Sequence, residues 1–257
     1  MKGLKKVLLI PDCHRPYYHK RAYNLMLEVA KDVGVDSIYL LGDYADFYSV
    51  SSHPKDIRLY KLLENEVQDV NEGLDDLDKL FPKAKKTYIC GNHEHRLARK
   101  ILNDAGTLFG LVTWYELFDL DKRKNWTWVE YSNSQVTRIE GSALRARHEP
   151  LSTGQNAARL TSSKALCSIA FAHTHRIEEA SITGIDGKSH VSFSCGWLGN
   201  LMYREVYSYL KNVAQWQLGF GIVYVDPKTG FFYHNKIHIL EKGRKLSCVF
   251  NGKRFAS

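Results

Sequence analysis

Three short apolar runs, at residues 6–10, 37–41 and 87–90, each break off into proline or glycine followed by polar side chains, and no other feature of the chain constrains its fold as strongly. Apolar runs of this length read as buried strands. Between the first two, Ala22, Leu25, Met26, Val29 and Ala30 recur at helical spacing. Before the third, Leu63, Val67, Val70, Leu74, Leu77 and Phe81 step by three or four residues while Glu64, Glu66, Asp69, Glu72, Asp75, Asp76 and Asp78 fill the opposite face. That is an amphipathic helix laid over a sheet. Strand, helix, strand, repeated, predicts an α/β domain with a parallel sheet.

The second half changes character. Alternating or β-rich stretches fall at 126–131, 135–139, 143–147, 166–172, 190–194, 221–225 and 231–240, with turn signals at Asp186-Gly187 and Thr229-Gly230, and they predict a second, more antiparallel sheet. No repeat or Gly/Ser-rich linker marks a boundary, so residues 1–257 read as one domain. A hydrophobic content of 44% with only six prolines excludes a disordered or collagen-like chain. No stretch approaches the roughly 18 apolar residues of a membrane span, and the four apolar residues after the N-terminal lysines are too few for a secretory signal. Five scattered cysteines without a CxxC pair argue against a disulfide framework or a thiolate zinc site, which places the expected location in the reducing cytoplasm. The net charge of +8 suits polyanionic partners, but it is spread over short clusters at 83–86, 96–100, 122–124 and 242–245, each of which reads as a solvated face.

In open α/β sheets, ligands bind beyond the carboxyl ends of the strands. The first run ends in Asp12-Cys13-His14, the second in Gly42-Asp43-Tyr44-Ala45-Asp46, the third in Gly91-Asn92-His93-Glu94; the run at 143–147 ends at His148 and that at 166–172 in His173-Thr174-His175. Extended backbone points residues i and i+2 the same way, so Asp12 is expected beside His14, and His173 beside His175. With Asp43, Asn92 and His148 these make seven oxygen and nitrogen donors. That is too many for one tetrahedral ion and suits two ions sharing a carboxylate. Each residue alone has an ordinary explanation as a helix cap, turn residue or hydrogen-bonded imidazole. Five of the eleven histidines in this ordered set do not.

The ordered series resembles the calcineurin-like metallophosphoesterases, the family of serine/threonine phosphatases, Mre11-type nucleases and cyclic-nucleotide phosphodiesterases. The stretch GNHEHRL at 91–97, AHTHR at 172–176 and the tail from Cys195 through Trp216 to Gly221 look most like the small phage and bacterial members. Two positions depart from the family pattern: Ala172 stands where glycine usually precedes the paired histidines, and Glu149 where glycine often follows the lone histidine. The resemblance implies a four-layer α-β-β-α sandwich of two mixed sheets flanked by helices. It implies that Asp12, His14 and His175 hold one metal, that Asn92, His148 and His173 hold the other, and that Asp43 bridges them.

The ions would be divalent, Mn2+ first, with Fe or Zn2+ as alternatives, because the donors are hard and lack thiolate. Such a pair clamps phosphoryl oxygens and generates the attacking hydroxide. His93 is then expected to act as general acid on the leaving oxygen, oriented by Asp46, with Arg96 and Arg147 binding phosphate. Trp197, Tyr203, Tyr207 and Trp216 form an aromatic segment suited to stacking a base or phenyl group, although core packing is the commoner fate of tryptophan. The expected partner is a phosphoester substrate, a small diester or nucleotide ahead of nucleic acid, and no membrane. The competing readings are an Mre11-like nuclease acting on DNA and a non-catalytic basic nucleic-acid-binding module with a structural zinc.

Overall fold

The computed structural model describes residues 3–203 and 215–257. Its first sheet is built around four parallel strands, β1 (Lys5–Ile10), β2 (Ser37–Leu40), β3 (Lys85–Ile89) and β4 (Trp126–Val129), with Val7 opposite Ser37 and Ile38 opposite Lys86. Helix α1 (Lys20–Val33) joins β1 to β2, α2 (Leu63–Leu80) leads into β3, and α3 (His95–Ala105) with the single turn α4 (Trp114–Leu117) leads into β4. The second sheet has the order β5 (Thr137–Arg138), β6 (Arg145–Ala146), β7 (Ile169–Phe171), β9 (Ser189–Cys195), with β8 (Ile177–Thr183) on its outer edge and helix α5 (Ala157–Ala165) between β6 and β7. Strands β10 (Gly219–Val225) and β11 (Phe232–His238) then return to the first sheet, antiparallel, beside β1. A small third sheet closes the chain with β12 (Leu240–Lys242), β13 (Lys245–Phe250) and β14 (Lys253–Ala256).

Two expectations need correction here. The later strands do not form one antiparallel sheet: β4, β10 and β11 complete the first sheet, and the centre of the second, β6-β7-β9, is parallel. The stretch at 166–172 is also not all strand. Helix α5 is closed by Leu166 in the left-handed region at φ 50°, and β7 begins only at Ile169.

Side-chain alternation sorts the layers. Leu8 and Ile10 face the helices α1 and α2, while Val7 and Leu9 face the second sheet and meet Ala146, Ala170 and Phe193. Ile169 and Phe171 point outward from the second sheet onto Ala157 and Ala158 of α5. The result is helix, sheet, sheet, helix, with the third sheet packed beside α1. Each of these fully buried aliphatic side chains stabilises the fold by about 1.5–3 kcal/mol. Helix α1 starts where His19 Nδ1 accepts the Ala22 N–H and stops at Gly34, whose N–H bonds back to Ala30 and Lys31. No described helix is long and apolar enough to cross a membrane.

The basic cluster at 83–86 is not wholly a solvated face. Lys86 is buried, with Nζ 3.0 Å from Asp78 Oδ1 on α2 and donating to the Ala84 carbonyl. Arg15 is likewise buried, lies over the Tyr18 ring and donates to both the carbonyl and the carboxylate of Asp69.

Candidate metal centre

The parallel strands of both sheets deliver their carboxyl ends to one place. Asp12 and His14 follow β1, Asp43 follows β2, Asn92 and His93 follow β3, His148 follows β6, and His173 and His175 follow β7. The loops are shaped by what the donors leave no room for. A Cβ on Gly91 would lie 2.1 Å from Asp43 Oδ1, and one on Gly42, at φ 96°, would lie 2.5 Å from His148 Nδ1. Only glycine fits at either position.

Glu94 binds these loops together from beneath. Its buried carboxylate accepts the N–H groups of Asp43, Ala45 and Gly91 and the Tyr88 hydroxyl, at 2.7–3.0 Å. Sequence reasoning assigns Glu94 no role. The signal it offers is its place three residues after Gly91, at the mouth of α3.

Two clusters of donors result. Asp12, His14 and His175 form one, and Asp43, His148 and His173 the other, each with donor atoms within 4.8 Å of one another; His14, Asp43 and His93 lie between them. Asn92 Oδ1 is 2.9 Å from both His148 Nε2 and His173 Nδ1, so it belongs to the second cluster. Asp43 Oδ2 lies 3.3 Å from His148 Nε2 and 3.7 Å from His93 Nε2.

The imidazoles are oriented from behind. His148 Nδ1–H donates to the Leu41 carbonyl at 2.9 Å, and His14 Nδ1–H to Asp46 Oδ2 at 3.0 Å, which turns both Nε2 atoms inward. His14 Nε2 and His175 Nε2 stand 3.1 Å apart, and His175 Nδ1 has no hydrogen-bond partner among the described residues.

This donor set fits divalent cations. Imidazole nitrogens and carboxylate oxygens stand together in each cluster, and the neighbouring cysteines contribute nothing, since the Cys13 and Cys90 thiols turn to the backbone carbonyls of Pro11 and Gly91.

His173 and His175 do not point the same way, contrary to the i, i+2 expectation, although both reach the site. His14, His173 and His175 have φ of 53°, 69° and 58°, so the backbone here is left-handed and not extended. The two histidines therefore diverge, one to each cluster, while Asp12 and His14 do meet. Asp43 is also left-handed, at φ 50°. Strain of this kind costs about 1–3 kcal/mol per residue and persists where surrounding contacts enforce it.

Electrostatics follow from burial and from close pairing. Burial opposes ionisation of Asp43, but His148 and His93 beside it hold its carboxyl well below the ordinary range. Burial alone would push His148 down; Asp43 instead raises it to about 10. Asp46 is held low, against burial, by His93, His14 and Arg96. His93 is pushed down to about 4, first by burial and then by Arg96.

Asp46 touches both histidines, with the shorter side-chain contact going to His14. His93 Nδ1–H donates to the Asp46 carbonyl at 3.0 Å and lies 3.4 Å from its carboxylate. Arg96 also turns inward: it donates to the Asp46 carbonyl at 3.0 Å and to His93 Nε2 at 2.8 Å. Arg147 donates to the Asn133 carbonyl and does not line the cavity beside the donor clusters. Glu149 accepts the Tyr131 hydroxyl at 2.8 Å, and Ala172 is wholly buried between the sheets.

Trp197 is buried and stacks on His175 with centroids 5.0 Å apart, and Trp216 meets the same ring edge-on at 4.2 Å, so both wall the first cluster. Tyr203 packs against Tyr17, and Tyr207 lies outside the described residues.

No protein-family profile and no curated protein matches the sequence. Among solved structures, the chain is similar to vacuolar protein sorting 29 from Cryptosporidium parvum, at 12% identity over 100% of this chain and 97% of the other, with a TM-score of 0.46. It is similar also to a phosphatase from Mycoplasma pneumoniae, at 12% identity over 95% and 96% of the two chains, with a TM-score of 0.43. A hypothetical protein from Thermus thermophilus matches at 12% identity, 98% coverage of both chains and a TM-score of 0.39. The chain's own architecture is two mixed sheets between helices, with His/Asp clusters beyond their strand ends. The order in which the strand ends deliver these donors is the one on which the sequence's resemblance to the calcineurin-like phosphoesterases rests.

Proposed function

We propose that this chain is a phosphoester hydrolase working with two divalent cations, Mn2+ foremost, on a small phosphodiester or nucleotide. One observation carries the reading: two three-residue donor clusters, all but His173 buried, beside a cavity of about 260 Å3 lined by Asp43, His173 and His175 together with Asn92, His93 and Arg96. When bound, the cations supply a phosphoryl clamp and a hydroxide nucleophile at neutral pH.

The chain's own residues do the rest. Glu94 fixes the loops that carry Asp43 and Gly91, so the donors are placed before substrate arrives. His93 and Arg96 act as one unit on the leaving oxygen. His93 Nε2 accepts from Arg96, and the guanidinium brings positive charge to the place where negative charge develops. The size of the cavity suits a small substrate. Five free cysteines, four of them buried, suit a reducing cytoplasm.

The test is a screen of phosphomonoesters, diesters, cyclic nucleotides and DNA with Mn2+, repeated after chelation and with Asp43→Asn. Expected are turnover of small diesters or nucleotides, its loss on chelation, and loss of both bound metal and rate in the variant. Full activity in metal-free protein would overturn the reading. Efficient DNA cleavage whose KM rises steeply with salt, beside negligible turnover of small esters, would favour the nuclease.

A further inference from the structure

The cavity beside the donor clusters is lined by more residues than hydrolysis of a simple ester uses. Its lining also includes Ser51, Ser52 and His53, and Arg99 on α3. Arg99 stands one helical turn beyond Arg96, on the same face of α3. The two arginines have different surroundings: Arg96 is buried against His93 and Asp46, whereas Arg99 is exposed and has no carboxylate in ion-pair contact among the described residues. The Ser51 hydroxyl accepts the His53 N–H at 3.2 Å, and Lys55 Nζ donates to the Ser51 carbonyl at 2.7 Å. This folds the loop that carries His53 with an ammonium at its base. Among the described residues, the one carboxylate lining the cavity is Asp43. The lining contributed by Ser51, Ser52, His53 and Arg99 therefore carries hydrogen-bond donors and positive charge, with no acid beside them among the described lining residues.

We propose that this lining is a second anion subsite, so that the substrate carries a further phosphoryl group besides the one placed at the metal clusters. Guanidinium and hydroxyl donors around a cavity of this size suit a phosphate dianion, which Arg binds through paired N–H groups. The inference rests on the proposed phosphoesterase reading and narrows it from phosphoesters in general to compounds with two separated phosphates.

The test compares equilibrium binding of thymidine 3′,5′-bisphosphate with that of thymidine 5′- and 3′-monophosphate to the full chain in Mn2+, by calorimetry. Wild type should prefer the bisphosphate to either monophosphate by about tenfold or more. The Arg99→Ala/His53→Ala double variant, altered only at exposed positions, should lose most of that preference while its monophosphate affinities change far less. Equal binding of all three compounds to wild type would overturn the proposal. So would a preference that survives in the double variant, or an equal loss for all three, which would show only a diffuse field. Hydrolysis of bis(4-nitrophenyl) phosphate, measured alongside, keeps the two readings apart. If hydrolysis is absent while the bisphosphate preference depends on Arg99 and His53, the catalytic reading falls and the subsite stands.

Discussion

Glu66, on the inner face of α2, is a buried carboxyl with no cation in ion-pair contact among the described residues, and its removal has a calculable effect on pH dependence. Its Oε1 accepts the Ser49 N–H at 2.8 Å while Oε2 has no partner among the described residues, and burial, followed by the nearby Asp46, pushes its pKa from 4.5 to about 7. A carboxyl raised in the folded state keeps its proton there while the unfolded chain releases it. Stability should therefore fall as pH rises from about 4.5 towards 7, and the loss is complete above the folded value. At 1.36 kcal/mol per tenfold, the ionised form costs about 3 kcal/mol. Glu66→Gln preserves the acceptor for Ser49 and removes the charge. Chemical denaturation of both proteins across this pH range should give a variant that gains on wild type by up to about 3 kcal/mol as pH rises, with the two converging at the acid end. Parallel stability curves would refute the reasoning, because they would mean that Glu66 ionises as easily folded as unfolded.

Other expectations concern the centre itself. Gly42→Ala should cost the second cluster its metal while leaving the first loaded, since the added methyl collides with His148; metal content per folded chain should fall from two towards one. Because His148 in the metal-free centre is protonated up to about pH 10, cation uptake must displace that proton. Affinity should therefore rise by about tenfold per pH unit through neutrality, with proton release measurable in weakly buffered solution. His93→Ala should lower turnover by roughly 10²–10³ with metal content nearly intact, because Arg96 loses the acceptor that holds its charge beside the leaving oxygen, and by less when the leaving group is nitrophenolate. Equal losses on good and poor leaving groups would assign His93 to placing substrate.

The first half of the fold is legible because its strands are buried on both faces and its helices on one, so hydrophobicity alone writes the pattern 6–10, 22–30, 37–41 into the chain. Sheet membership in the second half is not. Whether 221–225 pairs with β9 or with β1 depends on contacts more than 200 residues apart, and the side-chain pattern of a strand does not name its neighbour. Helix α3 separates its charged from its apolar side chains strongly at helical spacing, yet only Arg96 and Leu97 are buried along it, so its periodicity does not mark a core-facing stripe. Strand β8, IEEASIT, lies on an edge and reads as polar. The donors are legible as a set because strand ends are punctuated by glycine and proline. Their partners are not: that Asp46 faces His14 as well as His93, and that Arg96 turns inward, is decided by loop geometry.

The left-handed backbone at His14, Asp43, His173 and His175 sets durability against capacity at the same four residues. Glycine at any of them relaxes the chain locally and deletes a donor in the same step. A library of variants sorted only by resistance to heat should therefore drift towards glycine and asparagine at these positions, and the most robust survivors should be the ones that no longer hold metal. In a sequence related to this one, the identity of those four residues thus records whether the site was still under selection for use.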